Sequence, residues 1–533
     1  MIQLKRSLVA SLLVSLLVSA MLLMHTGCRR ANESFVIVLD ANPETLDPLR
    51  GTDASSERLR VLLFDSLVRK NERFEYVGHL AEHVQTADDG LSVTFTLRDG
   101  VTFHNGQTLT AADAKYTLDT VLSSDSRKNA SFFEEVPSAG RQSRVQSVEA
   151  PDARTLVVRL RKPWFELLAN MVAIGIVPQN SDGTHKSQPI GSGPYRFVRF
   201  DESQQIVDLE AYENYWQGAA NIKQIRCRAI LDANTLQAEL VSGRVGLAAN
   251  PLTLTPDTYR AMGNNPNLKV EQFPGANIVY LGFNVQSAPL NDARVRQAIA
   301  YALDREGVIR DLLSGQARIA HSVLPEELWA YAAGQKYSYD PGRAKQLLDE
   351  AGLRDPDGDG PQMRIPKPIN FKVSSSNATA RQYAGVMQNA LKAVGLPVEI
   401  ETLETVSLLA QLRNGQFQMT AGSWVGGNQD PIFLRDLFAT SEIPTQQRAG
   451  RNRSRYSNRE LDRILTEAVT THPDRDREKA LSLYATAQQI VSRDLPMLPL
   501  WYPANMAVAR SNVDNIKIDA SGDWGFVRSL KIE

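Results

Sequence analysis

His79-Leu80-Ala81-Glu82-His83 spells H-x-x-E-H. On a helix, two histidines one turn apart can hold zinc while the glutamate activates water. Catalytic zinc also needs a third protein ligand on a well-formed element, and this segment runs straight into strand-like Val84 to Thr86. Nothing nearby supplies an obvious third ligand, so the pattern reads first as coincidence. A zinc hydrolase using His79, Glu82 and His83 stands as the alternative reading. Asp355-Pro356-Asp357-Gly358-Asp359-Gly360 begins like a calcium loop, with carboxylates at alternate positions and glycine sixth. The twelfth position, where a bidentate glutamate belongs, is Pro366. A solvated aspartate turn is favoured, with weak calcium binding left open.

Trp424-Val425-Gly426-Gly427-Asn428-Gln429-Asp430-Pro431 combines an aromatic, two glycines and a carboxylate at the end of a strand-like run. That set suits enclosure of a small molecule: aromatic area, close backbone approach and polar groups for orientation. A tight turn with a packed tryptophan would read the same way. Gly191-Ser192-Gly193 is followed by no Lys-Ser or Lys-Thr, so it is no Walker-type phosphate cradle. There is no G-x-S-x-G elbow. The chain carries no strong enzymatic signature, no cofactor is expected, and any energy coupling must come from a partner.

The elements that must position these residues alternate in type. Phe35 to Leu39 predicts a strand, followed by a turn-rich Pro43-Glu44-Thr45-Leu46-Asp47-Pro48 loop. Ser56 to Leu67 has helical spacing at Leu59, Leu62, Leu63 and Leu67. Ser92 to Leu97 alternates, and Thr110 with Asp113 starts a helix in capping-box style. Val145 to Ala150 and Thr155 to Leu160 pair about Pro151-Asp152. After the break at Gly191-Ser192-Gly193-Pro194-Tyr195 come a strand (Arg196 to Phe200), a helix (Asn234 to Gly243) and a strand (Ile278 to Asn284). A helical pair follows over Asp292 to Gly315, and then a helix from Pro341 to Gly352. Helix and strand then alternate: Thr379 to Val394, Val398 to Leu403, Thr405 to Asn414, Phe417 to Ala421. Ser457 with Glu460 caps another helix, and Pro473 to Arg493 forms one more. That order is α/β.

Hydrophobic content of 43% and charged content of 22% are those of a globular chain with a sizeable core. A formal net charge of -1, with no basic stripe, argues against nucleic acid. The N-terminus has Lys5 and Arg6, an uncharged run from Leu8 to Met24, and His25-Thr26-Gly27-Cys28. This resembles a bacterial lipoprotein signal, with Cys28 the lipidated first mature residue; His25 departs from the usual Leu or Val. An uncleaved anchor helix or a plain signal-peptidase site are the alternatives. All three place the remainder outside the cytoplasm, in the periplasm or at the cell surface. The other cysteine, Cys227, lies in an alternating run and reads as a buried structural thiol.

Several segments together resemble the family 5 extracellular solute-binding proteins, the peptide- and nickel-type receptors of ABC importers. They are Pro43 to Pro48, Asp89-Gly90-Leu91 through Val101, Phe103-His104-Asn105-Gly106 to Asp113, Gly191 to Tyr195, and Tyr212-Glu213-Asn214-Tyr215-Trp216. Tyr280-Leu281-Gly282-Phe283-Asn284 and Val295 to Arg305 complete the set. The resemblance implies an α/β fold of the periplasmic-binding-protein type II, two lobes around a cleft with an extra α+β subdomain. The implied division is a signal over 1–27, a discontinuous first lobe over 33–70, 189–285 and 504–533, an extra subdomain over 71–188, and a second lobe over 286–503. The implied cleft residues are Gly51, Thr52, Asp53, Trp424, Gly426, Gly427, Asn428 and Asp430. In peptide-binding members an aspartate shortly after the tryptophan pairs with the ligand ammonium; Gly427 stands at that position here. The implied role is not enzymatic: a monomeric, lipid-anchored receptor captures peptides or peptide-like solutes by lobe closure. It delivers them to permease subunits served by a separate ATPase. A sensory solute-binding lipoprotein is the remaining alternative.

Overall fold

Val93, Phe95 and Leu97 alternate with small polar residues, and Ser92–Leu97 is a strand with those three side chains buried. The computed structural model describes residues 34–533 except 137–139, 182, 252, 359, 425–429, 447, 449 and 474. Cys28, Gly426, Gly427 and Asn428 therefore lie outside the described residues. Ser92–Leu97 sits between Ala81–Thr86 and Thr155–Leu160, and Val145–Glu149 completes a four-stranded antiparallel sheet. Helix Ala111–Ser123 packs on this sheet.

Two larger mixed sheets carry the rest. The first runs Tyr195–Asp201, Ile206–Ala211, Gln224–Ala229, Phe35–Leu39, Leu247–Ala249, Asn505–Arg510, Leu268–Phe273 in spatial order. Phe35–Leu39 is parallel to both of its neighbours, and the outer pairs are antiparallel. The second runs Ala317–Ile319, Met497–Pro503, Ile278–Phe283, Met419–Trp424, Ile369–Ser374, Val398–Leu403. Its last three strands are parallel, as expected where helices Ala378–Ala393 and Thr405–Arg413 make the crossovers. Each sheet has its own apolar core.

Among the described residues two chain crossings join the large sheets directly, one between Phe273 and Ile278 and one between Pro503 and Asn505. They run against each other. A Cβ on Gly275 would stand 1.9 Å from the Pro503 carbonyl oxygen, so only glycine fits. Asn505 Nδ2 donates to Pro274 O (3.0 Å) and Asp519 O (2.8 Å), tying the crossings to the C-terminal tail.

Several expectations are corrected. The first helix spans Ala54–Leu63, not Ser56 to Leu67, because Phe64 turns extended and closes the helix on Arg60 O. Gly191 and Gly193 pack against that end. A Cβ on either would fall 2.0 Å from Leu63 O or 2.6 Å from Leu62 O, so the Gly-Ser-Gly run is a packing surface. The Asp292 to Gly315 pair is present, as Ala293–Ala302 and, after a break at Leu303, Arg305–Gly307 running into a π turn at Val308–Leu312. Asn458, not Ser457, caps helix Arg459–Thr470: its Oδ1 accepts from Glu460 N and Leu461 N. The last long helix starts at Arg477, four residues beyond Pro473.

The H-x-x-E-H segment does not form a helix. Ala81–Thr86 is a strand and His79 lies before it, so the three polar side chains share no helix face. His79 Nε2 lies 3.6 Å from Asp65, Glu82 pairs with Arg154, and His83 is exposed. The zinc hydrolase alternative has no site here. In the Asp355 turn, Asp355 faces Arg364 at 3.5 Å and Asp357 accepts from Gln362 N. Asp359 is outside the described residues.

Candidate functional site

Gly51, Thr52 and Asp53 form the entry to helix Ala54–Leu63. Asp53 is its N-cap: Oδ1 accepts from Ser56 N (2.9 Å) and Oδ2 from Glu44 N (3.3 Å). Gly51 N–H donates to Asp47 O, and a Cβ there would meet Ser56 Cβ at 2.8 Å. Thr52 is exposed. The loop is held from beneath by Lys128, whose Nζ donates to Pro48 O (2.7 Å) and Ala173 O (2.8 Å) and pairs with Glu57 (2.7 Å). Burial pushes the Lys128 ammonium down to about 8 against the pull of Glu57.

Trp424 ends the strand Met419–Trp424 in the second large sheet. Its ring stacks on Tyr280 (6.3 Å between centroids, 17°) and meets Phe433 edge-on (5.8 Å, 84°). The Arg453 guanidinium covers it at 5.0 Å. Burial pushes the Tyr280 hydroxyl up, while Arg453, in hydrogen-bond contact with it, draws it down. The Trp424 Nε1–H is buried and has no acceptor among the described residues.

Asp430 is turned toward the four-stranded-sheet side of the molecule. Oδ1 accepts from Ile432 N (2.9 Å), and Oδ2 accepts from the Tyr76 hydroxyl (2.8 Å). Tyr76 belongs to the short strand Tyr76–Gly78, paired with Val68–Lys70. Lys70 extends beside Tyr76, its Nζ 5.7 Å from the ring centroid. Burial lowers that ammonium to about 8, and Asp430 acts in the opposite sense. Burial and the Asp430 charge together raise the Tyr76 hydroxyl far above its ordinary range. Nearby, Glu166 pairs with Arg435 (3.5 Å), and Asp436 pairs with Arg451 (2.7 Å). Burial raises both carboxyls, Glu166 and Asp436, against those arginines.

Lys70 and Tyr76 thus reach Asp430 from the other side, and Trp424 ends the strand six residues before it. Gly51 to Asp53 are a helix entry on the first sheet. Sequence reasoning missed Lys70, Tyr76, Glu166 and Arg453. Tyr76 and Lys70 sit in short polar strands without a motif. The signal for Arg453 was an arginine-rich run, Arg448 to Arg455, whose members look alike until their partners are known. Among the described residues no group of three or more His, Cys, Asp and Glu side chains is arranged to hold a metal. No described helix is long and apolar enough to cross a membrane.

Residues 75–445 match the family model for the bacterial extracellular solute-binding proteins, family 5 middle region. The oligopeptide-binding protein AppA of Bacillus subtilis is 28% identical over 502 residues, 90% of this chain and 88% of that protein. Heme-binding protein A of Haemophilus influenzae is 28% identical over 503 residues, again 90% of this chain and 88% of the relative. The structure of NikA from Brucella suis in complex with Fe(III)-EDTA shares the fold. Its TM-score is 0.80 at 23% identity, covering 94% of this chain and 100% of that one.

Proposed function

Because the chain belongs to family 5 of the bacterial extracellular solute-binding proteins, we propose that it is the substrate-binding lipoprotein of an ABC importer for peptides or peptide-like solutes. Its relatives and structural neighbours are binding proteins, not enzymes. The observation that carries the reading is the junction at Trp424 and Asp430. There Trp424, stacked on Tyr280, ends a strand of the second large sheet, and Asp430 accepts from the Tyr76 hydroxyl with Lys70 beside it. The paired crossings at Gly275 and Pro503 would serve as the hinge of lobe closure, and their close approach supports that role.

The proposed division assigns 33–70, 189–285 and 504–533 to the first lobe, 71–188 to an extra subdomain and 286–503 to the second lobe. The strand membership of the three sheets supports it. Gly51, Thr52 and Asp53 on one side, and Trp424, Gly426, Gly427, Asn428 and Asp430 on the other, are proposed as cleft residues. Lipid on Cys28 would hold a monomeric receptor beside its permease, raising the effective concentration for delivery. The AppA relative is named for oligopeptides, which supports the peptide class. Gly427 leaves the family's ammonium-pairing position without a carboxylate.

Mass spectrometry of small molecules released from purified protein by mild denaturation tests the proposal. Peptides or peptide-like compounds at near-stoichiometric yield are expected. A consistent non-peptide solute overturns the peptide class while leaving solute binding intact. Cys28→Ser is expected to release the protein from membranes; retention would mean that the apolar N-terminal run is an uncleaved helix.

A further inference from the structure

Resting on the reading that solute lodges beside Trp424, we propose that the cleft selects a solute bearing a carboxylate or comparable anion, seated against the Arg453 guanidinium and the Trp424 indole N–H. The arginines around residue 453 have settled partners. Arg448 pairs with Glu442, Arg451 pairs with Asp436 at 2.7 Å, and Arg455 donates to Arg413 O at 2.9 Å. Arg453 differs. Its guanidinium lies on the Trp424 ring and against the Tyr280 hydroxyl, with no carboxylate at ion-pair distance among the described residues. Half-buried, it is a cation without a counter-charge among the described residues.

The indole N–H of the ring it covers is the second observation. Trp424 Nε1 is buried with no acceptor among the described residues, so one junction presents two kinds of unmet demand, a positive charge and a donor. A single acceptor-rich anion satisfies both. Guanidinium suits a carboxylate or phosphate in particular, because its parallel N–H groups match two oxygens and the bonds are charge-assisted.

The carboxylates that could instead receive an ammonium are already occupied. Asp430 takes Tyr76 and Ile432 N on its two oxygens and lies in the field of Lys70. Asp53 spends its oxygens on Ser56 N and Glu44 N. Glu166 takes Trp164 Nε1 (3.0 Å) and Arg435, and Asp436 takes Arg451. Against these three junction acids (Asp430, Glu166, Asp436) stand four cations (Lys70, Arg435, Arg451, Arg453), and Arg453 is the one left over. An incoming ammonium meets junction carboxylates whose charge is already matched by cations, whereas an incoming carboxylate meets the unmatched guanidinium.

The test offers a tryptic digest to the full-length protein and identifies captured peptides by mass spectrometry. The digest is presented untreated, N-acetylated, or methyl-esterified on its carboxylates. In parallel, melting temperature is followed with small mono- and dicarboxylic acids and with the corresponding amides. Acetylation should leave capture intact, while esterification and Arg453→Gln should each lower it on the order of tenfold or more. Arg453→Lys should retain part of it, and the solute-free melting temperature reports whether each variant folds. If Arg453→Gln fails to fold, the acid-against-ester comparison on the unaltered protein decides alone. Equal capture of esterified and free peptides, or undiminished capture by a folded Arg453→Gln protein, overturns the inference. Failure to capture any peptide, with stabilisation by the acids and not by their amides, sinks the peptide class and upholds anion selection. No response to any carboxylate in either arm overturns anion selection itself.

Discussion

His104 shows how much a single side chain can hold in this fold. Its Nε2 donates to Gly193 O (3.0 Å), and its Nδ1 accepts from Gly191 N (3.3 Å), an arrangement only the neutral ring can make. Burial is the main reason its pKa falls from 6.5 to about 4, with the Gly193 bond opposing and Arg196 assisting. A depressed pKa contributes stability that is complete above pH 6.5 and is lost as pH falls toward 4, worth roughly 3 kcal/mol from this shift. Urea unfolding at pH 7, 6, 5 and 4 should therefore show the stability gap between the unaltered protein and His104→Gln narrowing with acid. A constant gap would mean that His104 does not titrate within the fold. Cys227 gives a second residue-scale expectation. It is fully buried in strand Gln224–Ala229, and burial raises its thiol far above the ordinary range. Iodoacetamide at pH 8 should label it only as fast as the protein unfolds; rapid native-state labelling would contradict that burial. Its alternating neighbours made this legible in sequence. The role of His104 was not, because a histidine in a turn acquires its tautomer from Gly191 and Gly193, nearly ninety positions away.

Elements were legible where local chemistry decides them. Thr110 and Asp113 form the expected capping box, with Asp113 Oδ2 accepting from Thr110 N (2.8 Å) and Oγ1 (2.7 Å). The structure adds a long-range duty: Asp113 Oδ1 accepts from Gln179 N (3.0 Å), pinning a later loop to the helix start. Asp113→Ala should cost about 1–3 kcal/mol by chemical denaturation, more than a cap alone, since the Gln179 N–H loses its acceptor too. A loss below the cap's own range would mean that the Gln179 bond contributes nothing. Boundaries failed where tertiary packing overrides period. Leu67 continues the helical spacing of Leu59 and Leu63, yet the chain leaves the helix at Phe64 so that Gly191 and Gly193 can close against Leu62 and Leu63. His79 and His83 show the same limit. Their spacing allowed a helix, but Val84, Gln85 and Thr86 pair with Val93 to Phe95, and the strand separates the would-be ligands.

At the scale of the molecule, the segment after Val68–Lys70 meets the second-sheet side through contacts that no local pattern announces, since each depends on partners hundreds of residues apart. Phe74, in a left-handed turn (φ 58°), is buried among Leu324, Leu328 and Tyr484. Glu75 pairs with Arg477 at 2.6 Å, and the Tyr76 hydroxyl donates to Asp430 at 2.8 Å. Three consecutive residues thus grip the second-sheet side beside the proposed cleft. If lobe closure is the binding step, these contacts belong to the closed form, and weakening them shifts population toward the open one. Tyr76→Phe removes a hydrogen bond to a carboxylate, a class of bond worth about 1.5–3 kcal/mol, while keeping the ring beside Lys70. The solute-free variant should give a larger radius of gyration by small-angle X-ray scattering, and saturating solute should restore the smaller value. Affinity should fall with it, because part of the binding energy is then used to close the lobes. An unchanged radius with unchanged affinity would mean that the Tyr76–Asp430 bond braces one rigid body and that closure turns on other contacts.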